Sequence, residues 1–421
     1  LLVGFPESEE IAMNTPLAWK NLTHNKVRTA VALAGVGFAV ILIFMQMGFK
    51  GAVRKTATQI YDALDFDLML RSPSYLHLTE PRSFPRERVY QAASLPEIAS
   101  AQPFYLGLSE WQAPTPDGAP PDQYTGDWRG IITIGVDPHA PAFRPAGLRE
   151  KSALLTDPRF VLIDDRSKAD FGPRNGKRFD EEDIGVETAL GSGRVRIVGV
   201  VSLGTGLAAN GACIANYDGF ARACPWQPLD EINFGLLKLK PGVDPLVAKA
   251  EVQRLVAPMV APDSLAPNAS STPADAEVLT RAEVNAREEY RWVVQTPLGK
   301  IFNLGVWVAL FVGVAIVYQV LSTDIANMMS EYATLKAMGY PNSYLARVVL
   351  QQSVLLALVG YVPSIIISWG LYMFVGARAG LPMVMTWQIA ATVLVLAVVM
   401  CVLSGMAALR KLFQADPADL F

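Results

Sequence analysis

The stretch AVALAGVGFAVILIFMQMG, residues 30–48, decides the class of this chain. It carries no charge, and Gln46 is its one strongly polar side chain. At about 1.5 Å per residue, a helix of that length just crosses a hydrocarbon core of about 30 Å. A secretory signal peptide has a shorter apolar core and ends at a small-residue cleavage site. Here FKGAVRK follows, so the run reads as an uncleaved anchor. Three further runs repeat the pattern, at residues 301–321, 345–374 and 387–409. The third exceeds a perpendicular span, and tilt or a kink at Pro363 would absorb the excess. The expected fold class is a membrane protein, an α-helical bundle of four transmembrane helices with a large mixed α/β extracytoplasmic domain between the first two.

Charge sets the expected orientation. PLAWKNLTHNKVRT, residues 16–29, reads as an interfacial helix, with Trp19 and Leu22 on one face and Lys20, Lys26 and Arg28 on others. Its cations place residues 1–29 in the cytoplasm. Lys50, Arg54 and Lys55 on the far side weigh against this, but long translocated domains largely escape the charge rule. Arg410 and Lys411 close the fourth run, as suits a cytoplasmic tail at 410–421. Four spans then put both termini and residues 322–344 in the cytoplasm and residues 49–300 outside. Residues 1–12, before Met13, remain unassigned.

Composition agrees with a chain that is part membrane and part water-soluble. Hydrophobic residues make up 51% and charged residues 18%, against about 25% charged in soluble domains. A net charge of -3 without a long basic run argues against nucleic-acid binding. Cys213, Cys224 and Cys401 form no CxxC, and His24, His77 and His139 lie far apart, so no metal site is expected.

Between residues 49 and 300, FDLMLRS, QPFYLGLSEW, RGIITIGV, RFVLID, VRIVGVVS and INFGLLKLK read as strands. RERVYQAASL and VDPLVAKAEVQRLVA read as helices, and APTPDGAPPD, GPRNGK and LKPGVD as turns. Residues 261–275 read as a loop. The pattern predicts two subdomains, one from residues 61–110 with 229–260 and a mostly β one from 111–228. GAVRKTATQIYDALD after the first span and AEVLTRAEVNAREEYRWVVQTPLGK before the second read as helical stalks continuing into the membrane.

Motifs for chemistry are weak. GPRNGKR, residues 172–178, has three residues between its glycines where a Walker A loop has four, and Arg178 follows the Lys. The GTG at 204–206 lacks a strand–GxGxxG–helix setting, and neither GxSxG nor HExxH occurs. Cys213 and Cys224 fall in the expected outer domain, where the compartment permits a disulfide and the spacing allows one without proving it. Cys401 reads as packing within the fourth span. The pairs Gly35 with Ala39 and Ala30 with Ala34 put small residues four apart, a spacing that lets helices approach closely.

The segment between the second and third spans, TDIANMMSEYATLKAMGYPNSYLARV, is more informative. Glu331, Leu335 and Met338 fall at i, i+4 and i+7, and Gly339 before Tyr340-Pro341 is a helix stop. A short amphipathic helix is expected. It is either a connector lying on lipid or a docking helix for a soluble partner.

Three places resemble the FtsX/MacB superfamily of ABC-transporter permeases, and most closely its DevC type. AWKNLTHNKVRTAVALAGVGFA resembles the family's lead into the first span, EYATLKAMG its coupling-helix motif E-x-x-x-L-[KR]-A-x-G, and ADPADLF its D-P-A-[DE] ending. The resemblance implies a non-catalytic permease, homodimeric in the inner membrane and bound to a cytoplasmic ABC ATPase that holds ATP and Mg, so this chain needs no cofactor. It implies a periplasmic adaptor and a TolC-like outer-membrane channel as further partners, with a hydrophobic or lipid-like cargo. Glu331, Leu335, Lys336, Ala337, Met338 and Gly339 would contact the ATPase. The two outer subdomains would be the family's porter-like and sabre-like parts. The alternatives are an FtsX-like regulator of a periplasmic cell-wall hydrolase and a membrane-anchored sensor or adhesion protein.

Overall fold

The computed structural model describes residues 26–114, 126–140, 142–204, 209–256, 275–329, 331, 334, 338–379 and 381–414. Residues 16–25 of the expected interfacial helix, the 205–206 part of the GTG and the ADPADLF ending lie outside the described residues, as does most of the 261–275 loop, while residues 26–29 open the first helix. The chain divides into a helical unit (Leu1–Ala52, Lys300–Ala379, Met383–Phe421) and an α/β unit (Val53–Gly299 with Gly380–Pro382).

The first element, α1 (Lys26–Ala63), is one 38-residue helix. The apolar run 30–48 forms its first part, and GAVRKTATQIYDA continues the same helix without a break. Beyond it come β1 (Leu68–Arg71), β2 (Phe84–Pro85), α2 (Glu87–Ala93), β3 (Ile98–Gln112), β4 (Trp128–Val136), α3 (Ala146–Ser152) and β5 (Phe160–Asp164). β6 (Glu187–Leu190), β7 (Gly193–Val201), β8 (Ala212–Asn216), α4 (Tyr217–Ala223), β9 (Glu231–Ile232), β10 (Phe234–Leu239) and α5 (Pro245–Val256) follow. The unit closes with β11 (Glu277–Thr280) and α6 (Arg281–Tyr290).

Nine strands join in the order β11-β1-β10-β3-β4-β8-β5-β7-β6. The 15-residue β3 belongs to both ends of this sheet. Its first part pairs antiparallel with β10 (Phe104 opposite Phe234), and its second pairs antiparallel with β4 (Tyr105 opposite Gly135). Strand alternation sends Leu68 and Leu70 to one buried layer, with Val89 and Val252, and Met69 to the other, with Tyr61 and Phe66. Both faces are covered, which is why these strands read as nearly continuous apolar runs.

The second stalk departs from expectation. Residues 277–280 form a strand, not helix. α6 then passes into a π-helical turn, Arg291–Gln295, and the chain breaks at Thr296, which is extended (φ -75, ψ 152). Pro297 causes the break, because its ring disfavours helical geometry in the residue before it while suiting the first position of the next helix. Gly299 lets that helix start against the backbone, since a Cβ there would collide with the Val293 carbonyl.

Three helices complete the helical unit: α7 (Pro297–Asn327), α8 (Asn342–Ala379, with Pro363 inside) and α9 (Trp387–Gln414). With α1 they are the four described helices long and apolar enough to cross a membrane. The predicted spans fall within them, and each helix runs beyond its span. α1 and α7 lie antiparallel. Gly35 faces Ile316, Gly313 faces Ala39, the Phe49 and Phe302 rings stack 5.6 Å apart, and Lys50 Nζ donates to Asn303 Oδ1 at 2.9 Å. Gly35 and Ala39 thus use their small size at a helix seam, whereas Ala30 and Ala34 are exposed. Gly405 does the same for α9 against Ser353 of α8. Phe311, Ile366 and Phe374 point outward, while Gly35, Gly313 and Gly405 sit where helices come close, as suits a lipid solvent.

Candidate functional site

Two places combine charge, burial and helix ends. The first is the segment between α7 and α8. Glu331 and Thr334 are helical and exposed, and the Met338 N–H donates to the Thr334 carbonyl at 3.0 Å. Gly339 adopts φ +92, and a Cβ there would meet nothing within 4 Å. Glycine is required by backbone conformation, not space, since an L side chain is costly in the left-handed region. Met338 is 62% exposed beside Gly339, and the Tyr340 and Tyr344 rings lie 5.0 Å apart at the start of α8. Leu335, Lys336 and Ala337 lie outside the described residues.

The second place lies in the α/β unit, where the end of α1 meets α6. These two run antiparallel. Arg54 Nε lies 3.1 Å from Glu289 Oε2, and Asn285 donates to Asp62 at 3.5 Å. At the tip, Arg281 closes the helix. Its guanidinium donates to the carbonyls of Tyr61 (2.9 Å), Leu64 (2.7 Å) and Phe66 (3.1 and 2.7 Å), with its carbon 4.0 Å from the centre of the Phe66 ring. A helix C-terminus leaves carbonyls unpaired and carries partial negative charge, so a cation there answers both. Arg281 is aimed by a capping box: Thr280 Oγ1 accepts from the Glu283 N–H, and Glu283 accepts from the Thr280 N–H at 2.8 Å. Lys249 holds Glu283 from α5 at 2.5 and 2.7 Å.

Behind the clamp is a buried ionic cluster. Arg71 at the end of β1 donates to Glu277 of β11 (2.8 Å) and to Glu288 of α6 (3.3 Å), and sits 4.3 Å over the Tyr75 ring. The Tyr75 hydroxyl bonds to that of Tyr61 on α1 at 2.8 Å. Burial pushes the Glu288 carboxyl above its ordinary range, partly countered by Tyr75 and Arg71. At Asp65, burial pushes up as well, but Lys238 and then Arg144 bring the carboxyl below its ordinary value. The arrangement ties α1, β1, β11 and α6 into one block. Removing one member of a buried ion cluster costs about 3–5 kcal/mol, because the other charge is left without a partner. Arg71→Met is therefore expected to lower the stability of the purified chain by that order. Arg71→Met with Glu288→Met should recover part of it, read by denaturant titration in detergent.

Sequence reading missed Arg281, Arg71 and Glu288. The signal for Arg281 was present, since T-R-A-E at 280–283 is a capping-box pattern. Arg71 closes an alternating apolar strand and looks exposed in one dimension.

Cys213 and Cys224 are free thiols in the structure, not a disulfide. Both lie in one buried cluster. Cys213 points from β8 toward the Thr133 hydroxyl (3.5 Å), and Cys224 caps α4 under Gly107. Burial pushes each thiol up to about 12. Neither is expected to react with a thiol reagent in native protein at neutral pH, and both should react once unfolded, as a maleimide mass-shift assay would read. GPRNGK is a turn, with Gly172 and Gly176 at positive φ and Asn175 Oδ1 accepting from the Lys177 and Arg178 N–H groups.

Residues 303–417 match the FtsX-like permease C-terminal family. Over that stretch the chain is similar to the C-terminal part of FtsX-like permeases. The match takes in most of α7 and all of α8 and α9, three of the four described helices long and apolar enough to cross a membrane. Among solved structures, the periplasmic region of MacB from Actinobacillus actinomycetemcomitans is similar at 11% identity, over 55% of this chain and 95% of that one, with a TM-score of 0.34. The extracellular domain of the noncanonic ABC-type transporter YknZ from Gram-positive bacteria is similar at 10% identity, over 51% and 100%, with a TM-score of 0.32. Likeness at that level sets no topology for this chain. No curated protein matches the sequence.

Proposed function

We propose that this chain is the permease subunit of a tripartite ABC export complex of the DevC type. It works as a homodimer in the bacterial inner membrane, with both termini cytoplasmic and the α/β domain periplasmic. A separate ABC ATPase binds ATP and Mg, and docks on the segment from Glu331 to Gly339. Closure of the ATPase pair displaces that segment, the helices carry the motion, and the outer domain expels a hydrophobic or lipid-like cargo through an adaptor and a TolC-like channel. The outer domain's two ends serve as porter-like and sabre-like parts. The observation that carries this reading is placement. EYATLKAMG lies between two membrane helices of the matched permease domain, with an exposed Met338 and a glycine at φ +92 that ends it.

The test is a mild-detergent pull-down of the tagged chain from its own membranes, with protein identification and an ATPase assay on the eluate. An ABC ATPase with an adaptor in stoichiometric amount is the expected result. An ATPase with a cell-wall hydrolase instead would replace export by hydrolase control. Neither partner and no ATP hydrolysis would remove the permease reading and favour a sensor or adhesion role.

A further inference from the structure

Asp324 is the only acidic residue in α7. It lies on the last turn of that helix, just before the 328–341 segment. Across from it, Gln352 of α8 is 4% exposed, and its amide Nε2 donates to Asp324 Oδ2 at 3.5 Å. The next residue, Ser353, is fully buried and packs against Gly405 of α9. An acid and a buried amide facing each other in a largely apolar bundle are costly unless they bond, so such pairs are placed where a specific contact is needed. The bond spans the two helices that flank the segment, one bonded residue on each side.

We infer that Asp324 and Gln352 form a positioning pair that makes the ends of α7 and α8 move together when the segment between them is displaced. This rests on the coupling role proposed above for Glu331 to Gly339. With the bond, a push on the segment reaches both helices as one body. Without it, the segment can shift against α8 alone, and the motion is lost before it passes along α7. Neither residue touches a nucleotide or cargo. A loss of the pair should therefore uncouple hydrolysis from motion and leave hydrolysis itself intact.

The test uses the complex captured by pull-down, reconstituted in liposomes, with an environment-sensitive fluorophore on a Tyr290→Cys variant. Tyr290 is 56% exposed on α6, and the described native cysteines are buried. ATP hydrolysis and the ATP-dependent fluorescence change are measured together. Asp324→Leu and Gln352→Leu are expected to keep hydrolysis within about twofold and to lose at least nine-tenths of the signal. The double variant should do no worse than either single one, since coupled residues are non-additive. Asp324→Asn, which still bonds to the amide, should keep more than half. Gln352→Met serves where a leucine variant does not accumulate in the membrane. A full signal with Asp324→Leu, or losses that multiply in the double variant, would overturn the inference. If Gly339→Pro abolishes the signal while Asp324→Leu does not, only the positioning pair fails. If neither variant affects it, or the parent shows no ATP-dependent signal, the coupling role itself fails and this inference with it.

Discussion

Gly339→Pro is expected to cut ATP-driven work by the complex at least tenfold while the chain still reaches the membrane in parental amount. Proline holds φ near about -65°, and Gly339 sits at +92. No relaxation of one residue reconciles the two, so the turn that ends the 331–339 segment ahead of α8 must take another path. Space is not the obstacle, because a Cβ at this position meets nothing. The damage therefore stays local to the segment and spares the packing of the four helices. Gly339→Ala, which tolerates the left-handed region at a cost of about 1–2 kcal/mol, should fall between. Glu331→Lys reverses an exposed charge on the same segment and should weaken ATPase docking without moving the turn. Co-purification of the ATPase separates the two: Glu331→Lys lowers its yield, whereas Gly339→Pro retains ATPase that no longer drives motion. Unchanged export by both variants would sink the docking assignment.

The second large effect is in the α/β unit. Arg281→Met should destabilise the chain by about 2–4 kcal/mol, the worth of several charge-assisted bonds to carbonyls that would otherwise lack partners. Its four bonds go to Tyr61, Leu64 and Phe66. Methionine keeps an unbranched apolar side chain there and removes all the donors, along with the guanidinium that lies over the Phe66 ring. Arg281→Lys should recover less than half, since an ammonium cannot reach three carbonyls in the fixed fork of a guanidinium. Urea titration in detergent, followed by tryptophan fluorescence, measures this. Trp111 is fully buried in the same unit and reports its unfolding. A change below about 0.5 kcal/mol, the range of an ordinary surface substitution, would show that the clamp contributes nothing.

The two variants also differ in what they disturb. Arg281 lies where the end of α1 is tied to α6, so its loss should loosen that junction within the α/β unit. Gly339 lies in the segment proposed to receive the ATPase.

Much of this architecture was legible in one dimension because it follows from solvent. A run such as 30–48 can be stable only across a lipid core, and runs of 19 to 30 residues admit no other ordinary reading. FDLMLRS and RGIITIGV declared strands through β-branched and alternating residues, and Gly339 with Pro341 declared a stop. β11 was misread as helix because EVLT adjoins a strongly helix-prone stretch, and its pairing to β1 outweighs that local preference. The break at Thr296 was written in Pro297 but overlooked within a charged, helix-like context.

What the sequence by itself determined is four runs long and apolar enough to cross a membrane, their order around the mixed α/β segment, and the place of EYATLKAMG between the second and third runs, because hydropathy and spacing are local properties. Only the tertiary structure decided that β3 pairs with β10 along its first part and with β4 along its second, that Cys213 and Cys224 are free thiols, and that Asp324 meets Gln352. It alone brought Arg281 to the end of α1, 215 to 220 residues away along the chain. These depend on which surfaces meet after folding. The free energy of such contacts comes from burial and pairing between distant segments, which no local pattern encodes.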